Sequence, residues 1–334
     1  MKIFLTGGTG FLGKRLVARL VEAGHEVRVL VRRLPPTGAD SRQGGMPAGV
    51  TFIVGDVTDA ASLNRGAEGC DAIVHSAALV KMWVRDRSQF DHVNVDGLRL
   101  ALEAGRRAGV GRILYTSSFI ALGPTDGRVA DESWVHAPGG HHNDYERTKA
   151  AADLVAREAA DAGAPLVIVY PGVVYGAGEL TDGSLMTRTI RDFMNRRVPG
   201  FLGSGDQRIC YAFIDDVVEG HLMALERARP GSRYILGGQN ANYHDLFAML
   251  AKLTGAPVPT RHLPFWLMGA AGKLMRWRAA LTGIEPIITD EVIEIYRHDW
   301  AYSSDRAVAD LGYRITPLEE GLRRTVAWLR SLPA

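Results

Sequence analysis

Cysteine is almost missing from this chain. Its 334 residues hold two, Cys70 and Cys210, far apart and outside any CxxC spacing. That argues against a disulfide framework and a zinc site, and it fits a reducing compartment. Charge of one sign is missing too. Lys and Arg number 39 against 37 Asp and Glu, a formal net charge of +2. Neither nucleic acid nor an anionic membrane is therefore expected as the main partner. Arginine is abundant but forms no long basic run. No uncharged apolar run approaches the roughly 20 residues that span a bilayer. The opening Met1-Lys2-Ile3-Phe4-Leu5-Thr6-Gly7 runs straight into a glycine turn, as a strand does and a signal peptide does not. The expectation is a cytoplasmic protein without stable membrane insertion, without a metal site, and without internal repeats. What is present is an ordinary globular balance, 46% apolar and 23% charged, enough for two domains or one large domain with an appendage.

The first half alternates short apolar runs with helical periodicity. Residues 3–5, 27–31, 51–54, 72–75, 113–116 and 166–170 read as buried strands. Phe11, Leu12, Leu16, Val17, Leu20 and Val21 recur at helical spacing, and Gly24 follows as a stop. A longer helical stretch covers about 89–108. This βαβ alternation predicts an α/β fold with a doubly wound parallel sheet, and ligands in such sheets bind at the carboxyl ends of the strands. After Tyr175 the pattern loosens. Helices are expected over 185–195, 216–228, 244–253 and 318–329, with short strands near 208–214 and 233–236. Residues 1–175 are assigned to a cofactor-binding domain that carries the chemistry. Residues 176–334 are assigned to a smaller, mainly helical substrate lobe, interleaved with the first domain.

Thr6-Gly7-Gly8-Thr9-Gly10-Phe11-Leu12-Gly13 lies between a strand and an amphipathic helix. A glycine turn there lets backbone approach a pyrophosphate, and the helix N-terminus supplies N–H donors. A Rossmann-type dinucleotide site is the implication. An NAD site usually carries Asp or Glu at the tip of the second strand. Here the tip reads Val31-Arg32-Arg33, and a guanidinium can pair bidentately with a 2′-phosphate. NADP(H) is favoured through Arg32, with NAD(H) as the alternative. His75-Ser76-Ala77-Ala78 follows the fourth strand, and the small Ala77 and Ala78 leave room for a ribose, whereas His75 reads as structural.

Tyr145-Glu146-Arg147-Thr148-Lys149 puts Tyr145 and Lys149 at i and i+4, on one helix face. A free phenol has a pKa near ~10. A cation one turn away, helped by an oxidised nicotinamide, is expected to lower it, so that Tyr145 can exchange a proton with a substrate oxygen, and Lys149 can also hold the cofactor ribose. A third polar group is sought in Thr116-Ser117-Ser118, at the end of the fifth strand.

With its Gly-x-x-Gly-x-x-Gly spacing and Tyr-x-x-x-Lys pair, the sequence resembles the short-chain dehydrogenase/reductase superfamily, its extended branch in particular. Tyr115-Thr116-Ser117-Ser118, Val217-Val218-Glu219-Gly220-His221 and Tyr234-Ile235-Leu236-Gly237-Gly238 are similar to bacterial dihydroflavonol-reductase-like proteins, including the hopanoid-associated epimerase-like branch. The resemblance runs nearly the whole chain and implies several roles. Ser118 would bind the substrate oxygen, with Ser117 as rival, and Asn94, on the helix passing behind the site, would shape the active site, although it equally suits a helix start or a buried hydrogen-bonding place. Asp56 and Val57 would hold the adenine, although Asp56 also suits an Asx turn or a helix cap. Main-chain groups of Pro171, Val173 and Val174 would contact the carboxamide. Thr116, Ser117, Tyr145 and Lys149 join the cofactor set. Trp83, Phe119, His142 and Tyr175 are candidates for the substrate wall. A homodimer through two long helices of the first domain is also implied.

Nucleotide-sugar enzymes of the superfamily tend to carry an arginine ahead of the Asp-Asp pair. Here Ile209 takes that place and Arg208 lies one residue off. Strand side chains alternate faces, so Arg208 is expected to point away. The expected activity is NADP(H)-dependent ketone or aldehyde reduction, or the reverse, on an apolar small molecule. A nucleotide-sugar epimerase or dehydratase, and a non-catalytic dinucleotide sensor, are the rivals. The apolar stretch 265–278, broken by Lys273, Arg276 and Arg278, reads as a packed helix, a dimer contact, a lid or a membrane-touching helix.

Overall fold

A computed structural model describes residues 1–35, 45–81, 83–137 and 139–332. The chain begins β1 (Lys2–Thr6), α1 (Phe11–Glu22), β2 (Glu26–Val31), β3 (Thr51–Val54), α2 (Ala60–Ala67) and β4 (Ala72–His75). It continues through α3 (Ser88–Asp91), α4 (Gly97–Ala108), β5 (Arg112–Thr116), α5 (Asp144–Asp161), β6 (Leu166–Pro171) and β7 (Val173–Tyr175). Then come α6 (Leu185–Met194), β8 (Phe201–Leu202), β9 (Ile209–Phe213), α7 (Ile214–Arg227), β10 (Arg233–Leu236), β11 (Asn240–Ala241) and α8 (Tyr243–Thr254). The chain closes with β12 (His262–Leu263), α9 (Phe265–Thr282), α10 (Asp290–Ile295), α11 (Asp305–Leu311) and α12 (Leu318–Ser331).

Seven strands form one sheet in the order β10-β6-β5-β4-β1-β2-β3, and every pairing in it is parallel. This is the doubly wound Rossmann arrangement, with the order reversing between β1 and β4. Helices cover both faces, which is why the central strands read as unbroken apolar runs. On one face, Leu16, Val17 and Leu20 of α1 pack with Ile214, Val218 and Leu222 of α7. On the other, Leu63 of α2, Leu98 of α4 and Ala152 and Ala156 of α5 meet Phe4, Ile73, Ile113 and Ile168. β10 pairs with β6 through Arg233↔Ile168 to Leu236↔Pro171. Residues beyond 176 therefore complete the main sheet.

A third core lies under α6, α8 and α12, around Ile190, Phe193, Phe247 and Leu322. It rests on a small sheet, β11-β9-β7, in which β9 runs parallel to β7. The helical stretch expected over 89–108 is interrupted by a π-turn at His92–Asp96. Such a widened turn admits one extra residue and re-aims side chains. Here it carries Asn94.

Candidate active site

The glycine turn after β1 is shaped by close approach. Gly7 has φ +78°, and a Cβ there would lie 2.6 Å from the Ala77 nitrogen. A Cβ on Gly13 would lie 2.1 Å from the Gly7 carbonyl oxygen. Helix α1 therefore starts tight against the ends of β1 and β4. Gly10 is its N-cap, no side chain caps it, and no acid sits in its first turn. The N–H groups of that turn have no intrahelical partner. Thr9, Gly10, Phe11, Leu12 and Gly13 line a cavity of about 720 Å³. Unpaired donors at the positive end of a helix dipole, in a turn that a Cβ would fill, fit a pyrophosphate.

The same cavity runs over the carboxyl edge of the sheet past Arg32, Asp56, Val57, Ala77 and Ala78. Asp56 accepts from the Thr58 N–H at 2.9 Å and the Thr58 hydroxyl at 2.8 Å, an Asx turn. The cap of α2 is Asp59, not Asp56. Ala77 N–H donates to Thr6 Oγ1, which is 3.0 Å from His75 Nδ1. His75 is fully buried, and burial together with the Lys149 charge drives its pKa down to about 3. It is a neutral structural group. Thr116, Ser117, Pro171, Val173 and Val174 line the wall further along. His221 Nδ1 donates to the Val217 carbonyl at 2.7 Å, so its Nε2 accepts from the Thr116 hydroxyl at 3.1 Å.

Ser118, Tyr145 and Lys149 meet on one side of this cavity. Asn143 caps α5 by accepting from the Glu146 N–H at 2.8 Å, which sets the helix so that Tyr145 and Lys149 face inward. The Ser118 hydroxyl lies close enough to the Tyr145 phenol to lower its pKa. Lys149 is 3% exposed. Its ammonium donates to the Thr116 carbonyl at 3.2 Å and lies 5.4 Å from the centre of the Tyr115 ring. Burial lowers its pKa to about 8, opposed by Asp153.

In the protein without a bound nicotinamide, the lysine alone does not acidify the phenol. Burial raises Tyr145 to about 12, and the group that pulls it down is Ser118. The lysine's hydrogen bond goes to Thr116 instead. In the protein alone Tyr145 is a firmly protonated proton donor.

The sequence profile of the NAD-dependent epimerase/dehydratase family matches residues 3–237. The chain belongs to this family. A Synechocystis sp. protein provisionally named dihydroflavonol 4-reductase is 32% identical over 98% of this chain and 94% of its own length. Sterol demethylase protein B of Methylococcus capsulatus is 32% identical over 99% and 98%. The crystal structure of gox2253 superposes with a TM-score of 0.81 at 31% identity, covering 98% of each chain. This is the extended short-chain dehydrogenase/reductase fold, with reductases among its relatives.

Several residues of this epimerase/dehydratase member stand elsewhere than expected. Asn94, whose alternative as a buried hydrogen-bonding residue is the one realised, does not line the cavity. It is 2% exposed, accepts from the Leu79 N–H at 2.7 Å and donates to Thr148 Oγ1 at 3.0 Å. It ties the loop after β4 to the helix of Tyr145 and Lys149, a positioning role. Tyr175 is no substrate wall. It is 1% exposed, packs on Phe213 and donates to the Leu318 carbonyl, because alternation along β7 turns it under α12. His142 also lies off the main cavity, its ring stacked on His298 at 4.6 Å. Phe119 lines the cavity, edge-on to Trp300. Trp83 lines a smaller adjoining cavity of about 370 Å³ that shares Lys81, Asn143 and Tyr145 with the first.

The wall that sequence reasoning missed is apolar and aromatic: Met186, Ile209, Tyr211, Tyr243, Tyr296 and Trp300. These come from five separate segments, and only Ile209 was flagged, as the occupant of an arginine's place. Arg208 does point away, donating to Asp299 and to the Arg128 carbonyl, both at 3.3 Å. Among the described residues, no group of three His, Cys, Asp or Glu could hold a metal. No described helix is long and apolar enough to cross a membrane.

Proposed function

We propose that this chain is an NADP(H)-dependent carbonyl reductase or alcohol dehydrogenase acting on an apolar, aromatic or polycyclic small molecule. The observation that carries this reading is that Ser118, Tyr145 and Lys149 line the same cavity as Ile209, Tyr211, Tyr243, Tyr296 and Trp300. The turn at Gly7, Gly10 and Gly13 would hold the pyrophosphate, and Arg32 a 2′-phosphate. The bound nicotinamide supplies or takes up hydride. Ser118 orients the carbonyl oxygen, and Tyr145 gives that oxygen its proton or removes it in reverse. Lys149 fixes the Thr116 carbonyl, holds the floor of the site and adds positive charge as a phenolate forms.

The rival nucleotide-sugar reading needs a cation for a diphosphate in the lobe. Arg208 is held outside by Asp299, and Ile209 faces the cavity in its place. That favours an apolar guest. The test is NADPH oxidation against a panel of flavanonols, steroids, aryl diketones and small aldehydes. Tyr145→Phe is expected to lower turnover by about 10²–10⁴-fold with dinucleotide binding retained. Retained activity in that variant refutes the role of Tyr145. Arg32→Asp is expected to shift preference from NADPH toward NADH. Tightly retained dinucleotide with no net turnover on any carbonyl would move the assignment to an epimerase.

A further inference from the structure

We infer that helix α9 is a docking surface for an anionic lipid bilayer, lying flat on the membrane without crossing it. The argument begins with which way the helix faces. Gly272 and Ala279 are its buried residues. A Cβ on Gly272 would lie 2.4 Å from the Asp290 nitrogen. Arg276 clamps the same side, donating to both carboxylate oxygens of Asp290 at 2.8 and 2.9 Å. Small residues and one arginine thus seat the helix on the start of α10.

The large apolar side chains point the other way. Trp266 is 72% exposed, Leu274 65%, Trp277 64% and Leu281 65%. At 3.6 residues per turn these four fall within an arc of roughly 100°, opposite Gly272 and Ala279. Beyond the helix the same surface continues into Ile284 and Ile287, 57% and 84% exposed. A helix that turns four large apolar side chains to water asks for a covering surface.

Charge decides between occupants. Helix α9 contains no Asp or Glu, and Lys273 and Arg278 are both exposed, one on each edge of the apolar stripe. Among the described residues neither forms an ion pair. A two-fold copy of this chain seated on the stripe would set those cations against their own images with no acid on the helix to receive them, and Glu285, on the segment that follows, is already paired with Lys81 at 3.5 Å. A bilayer of negative headgroups matches both features. Lysine and arginine meet phosphates, tryptophans sit at the interface, and leucines enter the acyl boundary. The near-zero net charge of the whole chain does not oppose this, because headgroups act within about a Debye length and read only the local face. One flank of the same helix contributes Arg276 and Ala280 to the smaller cavity next to Tyr145. The inference stands on exposure and charge alone and does not depend on the proposed reaction.

The test uses the full chain with vesicles of phosphatidylcholine alone and of phosphatidylcholine with phosphatidylglycerol, read by co-sedimentation. Binding is expected to the anionic vesicles and to weaken with salt. Lys273→Gln with Arg278→Gln should remove about 30-fold of the affinity for them. Trp266→Ser with Trp277→Ser should abolish binding at every lipid composition while leaving dinucleotide affinity and circular dichroism unchanged. As a second measurement on the unaltered chain, brominated lipids should quench its tryptophan emission. Three outcomes overturn the inference: no partition into either vesicle, equal partition after the double tryptophan change, or no quenching. A wild-type dimer that the tryptophan change converts to a monomer, without vesicle binding, would assign the stripe to a second copy instead.

Discussion

Replacing Asn94 by leucine, a side chain of similar size, should damage both stability and turnover. Asn94 holds three bonds: from the Leu79 N–H at 2.7 Å, to the Leu79 carbonyl at 3.4 Å and to Thr148 Oγ1 at 3.0 Å. Thr148 keeps its own donation to the Asp144 carbonyl at 2.7 Å, so the substitution chiefly orphans the Leu79 amide. A buried donor without a partner costs about 1–3 kcal/mol, and the lost bond to Thr148 about 1 more. With a urea dependence of about 3 kcal/mol per molar, the unfolding midpoint should fall by roughly 1 M. The chemistry should suffer too, because Thr148 lies between Tyr145 and Lys149. A drift of about 1 Å in that helix is worth on the order of 10²-fold in kcat/KM. Thr148→Val supplies the second arm of a double-mutant cycle, with an expected coupling of about 1 kcal/mol with Asn94. The measurements are urea unfolding followed by circular dichroism, and steady-state kinetics. An unchanged midpoint, or strictly additive single effects, would refute the clamp. Lost activity at full stability would instead put Asn94 in direct contact with the reacting groups.

Gly13→Ala should abolish dinucleotide binding, read by titration calorimetry, because the added carbon falls 2.1 Å from the Gly7 carbonyl. His136 carries a pH signature. Its Nε2 is 2.6 Å from the buried Glu146 carboxylate and its Nδ1 is 2.9 Å from the Ala137 carbonyl. Those partners outweigh burial and raise its pKa. The pair's stabilisation is therefore complete below the ordinary histidine value of 6.5 and lost as pH rises through the raised one. The melting temperature of the native chain minus that of His136→Ala should shrink as pH climbs from about 6 to 9. A difference that grows with pH would contradict the pairing. Tyr175→Phe should leave kcat/KM within about twofold, since the change removes only one weak buried hydrogen bond.

The sheet and the reacting group were legible because each is encoded locally. A buried parallel strand announces itself as an apolar run such as Ala72–His75, and a helical Tyr-x-x-x-Lys puts its two ends on one face by geometry alone. The substrate side was not legible, because Met186, Tyr211, Tyr243, Tyr296 and Trp300 meet only through the folding of distant segments. Tyr175 misled because β7 is three residues long. In so short a strand one step of alternation decides whether a ring faces the cavity or the core. The π-turn at His92–Asp96 left no trace in the periodicity of 88–108, and that turn aims Asn94 at Thr148 and the Leu79 backbone. The raised pKa of Tyr145 in the protein alone was not legible for a further reason. Spacing places the lysine near the phenol but says nothing of the Thr116 carbonyl to which its ammonium is bound.

The return of β10 to the edge of the main sheet has an outcome for anyone who cuts or shuffles this gene. A fragment ending near residue 176 keeps the entire phosphate turn and Tyr145 but strips β6 of its neighbour. Its row of bare amides and carbonyls would recruit other chains. Chimaeras that trade substrate preference must therefore carry β10 and α7 with the parent that supplies β6, and exchange only the stretches between.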